Sequence, residues 1–199
     1  MKISGEATVR GPVEQVYAAL VDPAVLVRTI PGCERLERTG PDAYTMTLSA
    51  GVAAIKGTYS GEVVLTDQEA PYGFLLKASG SGAPGTVSAE ARVRLAAGDG
   101  GTTTVSYDAD AVVGGMVGGV GQRVLTGVAR RTAGEFFAAV DDVLNGAAAP
   151  TSAEPAVFER PPGAAVRAVP GDFARGVAFG AAAALLGVVV GALIGRRRS

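Results

Sequence analysis

The sequence predicts an α+β fold: a curved antiparallel sheet wrapped around a long C-terminal helix, with an apolar cavity between them, plus a C-terminal transmembrane helix. Three observations predict it. Apolar and polar residues alternate from Cys33 to Val113, apolar residues recur at helical spacing from Val120 to Leu144, and residues 176–195 carry no charged or polar side chain.

The first strand is read from Ile3, Gly5, Ala7 and Val9, which alternate with Lys2, Ser4, Glu6, Thr8 and Arg10. Pro12 suits the first turn of a helix, and Val13, Val16, Tyr17, Leu20 and Val21 keep helical spacing until Asp22-Pro23 breaks the run. A second short helix extends from Pro23 to about Thr29, and Pro31-Gly32 ends it.

Turn residues at Gly40-Pro41-Asp42, Asp67 to Gly73, Gly82 to Gly85 and Gly98 to Gly101 divide the alternating region into hairpin-linked strands. The inward sets begin with Tyr44, Met46 and Leu48, followed by Ile55, Gly57, Tyr59, Gly61, Val63 and Leu65. Phe74, Leu76, Ala78 and Gly80 come next, then Val87, Ala89, Ala91, Val93 and Leu95, and finally Val105, Tyr107, Ala109, Ala111 and Val113. Lys56, Glu62, Lys77, Glu90, Arg92, Arg94, Asp108 and Asp110 fall on the opposite face, so the sheet has one dry side and one wet side. A long helix must cover the dry side. Val120, Val124, Val128, Phe136, Val140, Val143 and Leu144 supply its apolar spacing, and Asn145-Gly146 marks its end.

Composition excludes several classes of function. There is no histidine and one cysteine, Cys33, which removes disulfides, Cys/His zinc sites and Ser-His or Cys-His catalysis. The formal charge is −1, and Lys and Arg cluster only at Arg196-Arg197-Arg198, so no basic surface is available for nucleic acid. No inward strand position is Asp, Glu, Lys or Arg, which weighs against a catalytic or metal-binding interior.

The dry face is unusually small, with Gly57, Gly61, Ala78, Gly80, Ala89, Ala91, Ala109 and Ala111 on it. Interiors pack at crystal-like density, so such a face is either filled by the helix pressing close or leaves a void that something else occupies, and a cavity is the expectation. The expected wall is Met46, Leu48, Val63, Phe74, Leu76, Val105 and Met116, with the phenols Tyr44, Tyr59 and Tyr107 and the helix residues Val120, Val124 and Val128. The glycine-rich run Gly114, Gly115, Met116, Val117, Gly118, Gly119 is the expected gate, with Met116 and Val117 exposed at its tip.

The element order resembles the START-like, or helix-grip, superfamily (SRPBCC), and residues 1–146 resemble the CoxG family of carbon monoxide dehydrogenase subunits. The residues that carry this likeness are Lys2-Ile3-Ser4-Gly5, Pro12-Val13-Glu14-Gln15-Val16-Tyr17, Ile30-Pro31-Gly32-Cys33-Glu34, Lys56-Gly57 with Tyr59 and Gly61, the Gly-rich entry to the last helix and the apolar tail. The resemblance implies a non-enzymatic, membrane-associated accessory of a molybdenum-dependent carbon monoxide dehydrogenase. Combined with the cavity, it leads to the expectation of a carried lipid-soluble quinone, menaquinone or a relative, held non-covalently. A purely structural recruiter and a polyketide cyclase-like enzyme are the alternatives.

Residues 147–175 hold Pro150, Pro155, Pro161, Pro162 and Pro170 and read as a disordered linker, within which Val157-Phe158-Glu159-Arg160 is a candidate docking motif. Residues 176–195 form the expected membrane anchor, since a helix of about 20 residues rises about 30 Å, and residues 196–199 form a basic tail. Glycine or alanine at every fourth position of the anchor would let another helix approach. Arg160, Arg167 and Arg175 balance the three terminal arginines, so charge alone leaves the orientation undecided. Met1 to Arg10 has no apolar core of a secretory signal, which places the expected domain on the cytoplasmic face of the membrane.

Overall fold

Alternation of period two forms strands wherever one face can be buried, and here it does so along nearly the whole domain. The computed structural model describes residues 1–147 and 157–159. Strand β1 (Lys2–Arg10) leads into helices α1 (Val13–Val21) and α2 (Pro23–Thr29). Strands β2 (Cys33–Arg38), β3 (Ala43–Val52), β4 (Ile55–Glu69), β5 (Gly73–Gly82), β6 (Gly85–Ala97) and β7 (Thr102–Val113) follow. A short helix α3 (Gly115–Gly118) precedes the long helix α4 (Gln122–Asp142), and strand β8 (Val157–Glu159) comes last. The described strands form one sheet of order β1-β7-β6-β5-β4-β3-β2-β8, and every neighbouring pair in it is antiparallel.

Helix α4 lies over the dry face, where Leu125, Ala129, Ala133, Phe137 and Val140 are buried. Its C-terminal end is clasped to β1: the Arg10 backbone N–H donates to Asp141 Oδ1 at 2.6 Å, and its guanidinium donates to Oδ2 at 2.9 and 2.6 Å. Asn145 Nδ2 donates to the carbonyl oxygens of Arg10 and Asp141, closing the corner. At the start of α2 the Asp22 carboxylate caps the helix by accepting from Ala24 N–H at 2.8 Å. Gly32, just after α2, has φ +76°, a left-handed conformation that favours glycine, and any side chain there would run into the Ser49 carbonyl. Ser49 N–H donates to Gly32 O at 2.9 Å, fixing the α2–β2 turn against β3.

Four differences from the expectations have local causes. The long helix begins at Gln122, after Gly121 at φ +100°, so Val120 belongs to the preceding loop. Its buried face is also rotated. Val124 is 45% exposed because it shares a stripe with Arg131 and Glu135, which pair across the helix surface at 3.1 Å. The glycine-rich run folds as α3, in which Met116 is exposed but Val117 is buried. Inside the expected unstructured linker, Val157–Glu159 adds a strand to the β2 edge, with Glu37 opposite Val157 and Arg35 opposite Glu159.

The remainder of 147–175, the expected anchor 176–195 and the basic tail 196–199 lie outside the described residues. Among the described residues no helix is long and apolar enough to cross a membrane.

Candidate functional site

A cavity of about 110 Å³ separates the sheet from α4. Cores rarely leave a void larger than a water molecule, whereas an apolar void of about 150 Å³ takes up a benzene ring. The space is larger than a water site and about three quarters of that volume. The sheet contributes Tyr44 and Met46 from β3, Val63 and Leu65 from β4, and Phe74 and Leu76 from β5. Ala91 and Val93 from β6 and Tyr107 from β7 complete that wall. Helix α4 supplies Thr132, Ala133, Phe136 and Phe137, and the side is closed by Leu20, Leu26, Ile30, Pro31 and Leu36.

Ala91 of the sheet and Ala133 of α4 are the small residues in this wall, while Ala78, Ala89, Ala109, Ala111 and Ala129 are buried in core outside the lining. Bulk is supplied at the margin. Phe137 stacks on Tyr107 with ring centres 5.9 Å apart, and Tyr17 meets Phe74 edge-on at 6.0 Å.

Of the residues expected to line the cavity, the fold brings Tyr44, Met46, Val63, Phe74, Leu76 and Tyr107 together on it. Leu48, Tyr59 and Val105 are buried in solid core outside the lining. Met116 and Val124 are exposed, and Val120 and Val128 pack only at the core's margin. The expected gate, Gly114 to Gly119, is not part of this cavity: α3 packs on the β5–β6 hairpin, where Val117 N–H donates to Pro84 O at 3.3 Å. Lining residues that the sequence pattern missed come mainly from α2, the Pro31 turn and the true inner face of α4. The signal that could have found the last was Thr132, Ala133, Phe136 and Phe137, one helical face lying opposite Arg131 and Glu135.

Among the described residues the cavity wall holds no carboxylate, ammonium, guanidinium or thiol. Its polar groups are two phenols and one hydroxyl, and that hydroxyl, Thr132 Oγ1, already donates to the Val128 carbonyl at 3.3 Å. Burial pushes the Tyr107 phenol above its ordinary value, with nearby Arg130 acting in the opposite direction. Tyr59 is raised by burial as well. Tyr107 is therefore a neutral hydrogen-bond donor at neutral pH, suited to polarising a carbonyl and unsuited to removing a proton. No group of three or more metal-ligating side chains occurs among the described residues. Cys33 is buried, and its Sγ lies 3.6 Å from the Arg35 carbonyl, outside the cavity.

The family model for CoxG, a carbon monoxide dehydrogenase subunit, matches residues 5–145. Among solved structures, a conserved protein from Geobacillus kaustophilus is 36% identical, with 73% of this chain and 95% of that chain covered and a TM-score of 0.70. A START superfamily protein from Mycobacterium smegmatis aligns at 12% identity over 74% of this chain and 99% of that one, with a TM-score of 0.57. The ZhuI aromatase/cyclase from Streptomyces sp. R1128 aligns at 16% identity over 73% and 93%, with a TM-score of 0.55. These last two show a shared fold and no more. No curated protein matches the chain.

Proposed function

The chain belongs to the CoxG family of carbon monoxide dehydrogenase subunits, and from that membership we propose that it is a membrane-anchored accessory of a molybdenum-dependent carbon monoxide dehydrogenase. In this reading it recruits the enzyme to the cytoplasmic face of the membrane and presents a lipid-soluble quinone as the electron acceptor. The observation that supports a carried ligand is the mainly apolar void, whose wall includes the phenol residues Tyr44 and Tyr107. A quinone ring fits that chemistry: its faces are apolar, and its carbonyls accept hydrogen bonds from phenols. A polyisoprenoid chain exceeds the enclosed volume, so it would leave the ring site between α2 and α4, where Leu26, Pro31 and Phe136 are half-buried.

Membrane attachment is supported by the uncharged run 176–195 followed by three arginines. The lack of an ionisable residue other than tyrosine in the cavity supports a carrier in preference to a cyclase-type enzyme. The test is mass spectrometry of an organic extract from the domain ending at Arg160, made in a host that synthesises isoprenoid quinones. Stoichiometric quinone is expected. A folded domain that carries none, and takes none up from added menaquinone, would leave a purely structural recruiter.

A further inference from the structure

Within residues 1–142 three stretches of twelve or more residues carry no Asp, Glu, Lys or Arg: 43–55, 78–89 and 111–122. The sheet brings their turns to one end of the domain. The β3–β4 turn at Ala53-Ala54 sits beside the β5–β6 turn, where Gly57 runs against the Pro84 ring and leaves no room for a side chain. Thr86 and Gly114 exchange backbone hydrogen bonds at 3.3 and 2.8 Å, which joins the β7–α3 connection to the same cluster. Ala53, Ala54 and Ala83 are exposed there, and Met116 and Val112 are exposed to 63% and 72%. The charges nearest this cap are Lys56 and Arg123; further back, Glu34 accepts from Ser49 Oγ at 2.6 Å, and Asp110 and Glu90 are each opposed by a cation, Lys2 at 3.5 Å and Lys77 at 3.7 Å. The turns at the other end carry Asp42, Asp67, Glu69 and Asp99.

A second observation concerns chain direction. Strand β8 is antiparallel to β2, and β2 is antiparallel to β3, so β8 runs parallel to β3, toward the end that holds the β3–β4 turn. The chain therefore leaves Glu159 pointed at the uncharged cap. Sixteen residues, 160–175, separate that exit from the apolar run, and at about 3.3–3.6 Å per residue they cover at most about 58 Å, enough to pass the cap.

We propose that this uncharged cap is a lipid-docking surface: the turns at Ala53-Ala54 and Ala83-Pro84, together with Met116, rest in the headgroup region of an anionic bilayer. Lys56 and Arg123 meet lipid phosphates, and the acidic turns face away. Exposed apolar surface of this kind is stable against lipid and costly in water, and the cationic rim matches the negative cytoplasmic leaflet. The inference rests on the membrane reading above and adds the orientation of the domain to it.

The test uses the full chain with Cys33→Ala, bound to vesicles of phosphatidylcholine and phosphatidylglycerol, with an environment-sensitive fluorophore on Met116→Cys or, separately, on Asp99→Cys. The fluorophore at 116 is expected to shift to the blue and to be quenched severalfold more by lipid-borne nitroxide than the one at 99. Adding Ala54→Glu should reduce that quenching while the chain still pellets with vesicles. Equal quenching at 116 and 99 on a chain that pellets overturns the docking surface and leaves the anchor standing. A chain that stays in the supernatant overturns both. A blue shift at 116 that requires the dehydrogenase instead of lipid assigns the cap to a protein partner and overturns the proposal.

Discussion

Ala133→Leu tests whether the space under α4 is an empty binding site or well-packed core. Ala133 is 1% exposed and its methyl group faces the void. At about 24 cal/mol per Å³, a void of about 110 Å³ costs the folded state about 2.6 kcal/mol. Leucine adds three carbons, which at about 0.8 kcal/mol each return about 2.4 kcal/mol if they enter empty apolar space. Alanine and leucine are both strong helix formers, so backbone propensity contributes little. The ligand-free domain ending at Arg160 is therefore expected to gain stability, up to about 2 kcal/mol, in urea titrations with an unchanged slope. Quinone uptake should fall in the same protein because the ring site is filled. Had the site been packed core, the added carbons would clash and cost about 1–3 kcal/mol. A loss of that size, or undiminished quinone uptake, would refute the reasoning.

The phenols are expected to divide by position: Tyr44→Phe and Tyr107→Phe, each made singly, should weaken quinone retention about tenfold, consistent with about 1–1.5 kcal/mol for a hydrogen-bond donor, whereas Tyr59→Phe, outside the lining, should leave it unchanged in the same extraction assay. Asp141→Ala should unfasten β1 from the end of α4. Because Arg10 holds the Asp141 carboxyl below its ordinary range, the contribution is present above about pH 4 and is lost as pH falls through the folded value. Urea midpoints of wild type and variant should accordingly differ at pH 7 and converge in acid. Gly32→Ala forces a side chain into a left-handed conformation and against the Ser49 carbonyl. It should cost at least about 1–3 kcal/mol in urea unfolding.

Strand membership was legible in the sequence because one face of the sheet is dry and the other wet, and the inward set Tyr44 to Val113 reads directly from that alternation. The site was legible only in part. Tyr44, Met46 and Phe74 announce themselves as inward residues, but whether an inward residue meets a void or a neighbour depends on where α4 crosses it. Val105 and Leu48 satisfy the same pattern as Val63, yet they are covered. Helix phase was misread because Val124 is more apolar than Thr132 or Ala133. Hydropathy gave it a weight that the exposed stripe of Arg131 and Glu135 overrides. Strand β8 has no pattern of its own at three residues: its hydrogen bonds come from the unpaired edge of β2, a partner more than a hundred positions earlier.

By itself, the sequence determined the α+β class, the order of elements from β1 to β7 and the long helix after them, the absence of histidine chemistry and an uncharged run long enough to span a bilayer. Those are properties of local period and composition, and they need no knowledge of what lies across the fold. Tertiary structure alone decided that the void lies beneath the middle of α4, that the glycine-rich run packs on the β5–β6 hairpin away from it, and that three uncharged turns converge at that hairpin. Each of these is a distance between residues remote in the chain, set by strand register and by the rotation of one helix, and neither is written in any single stretch of sequence.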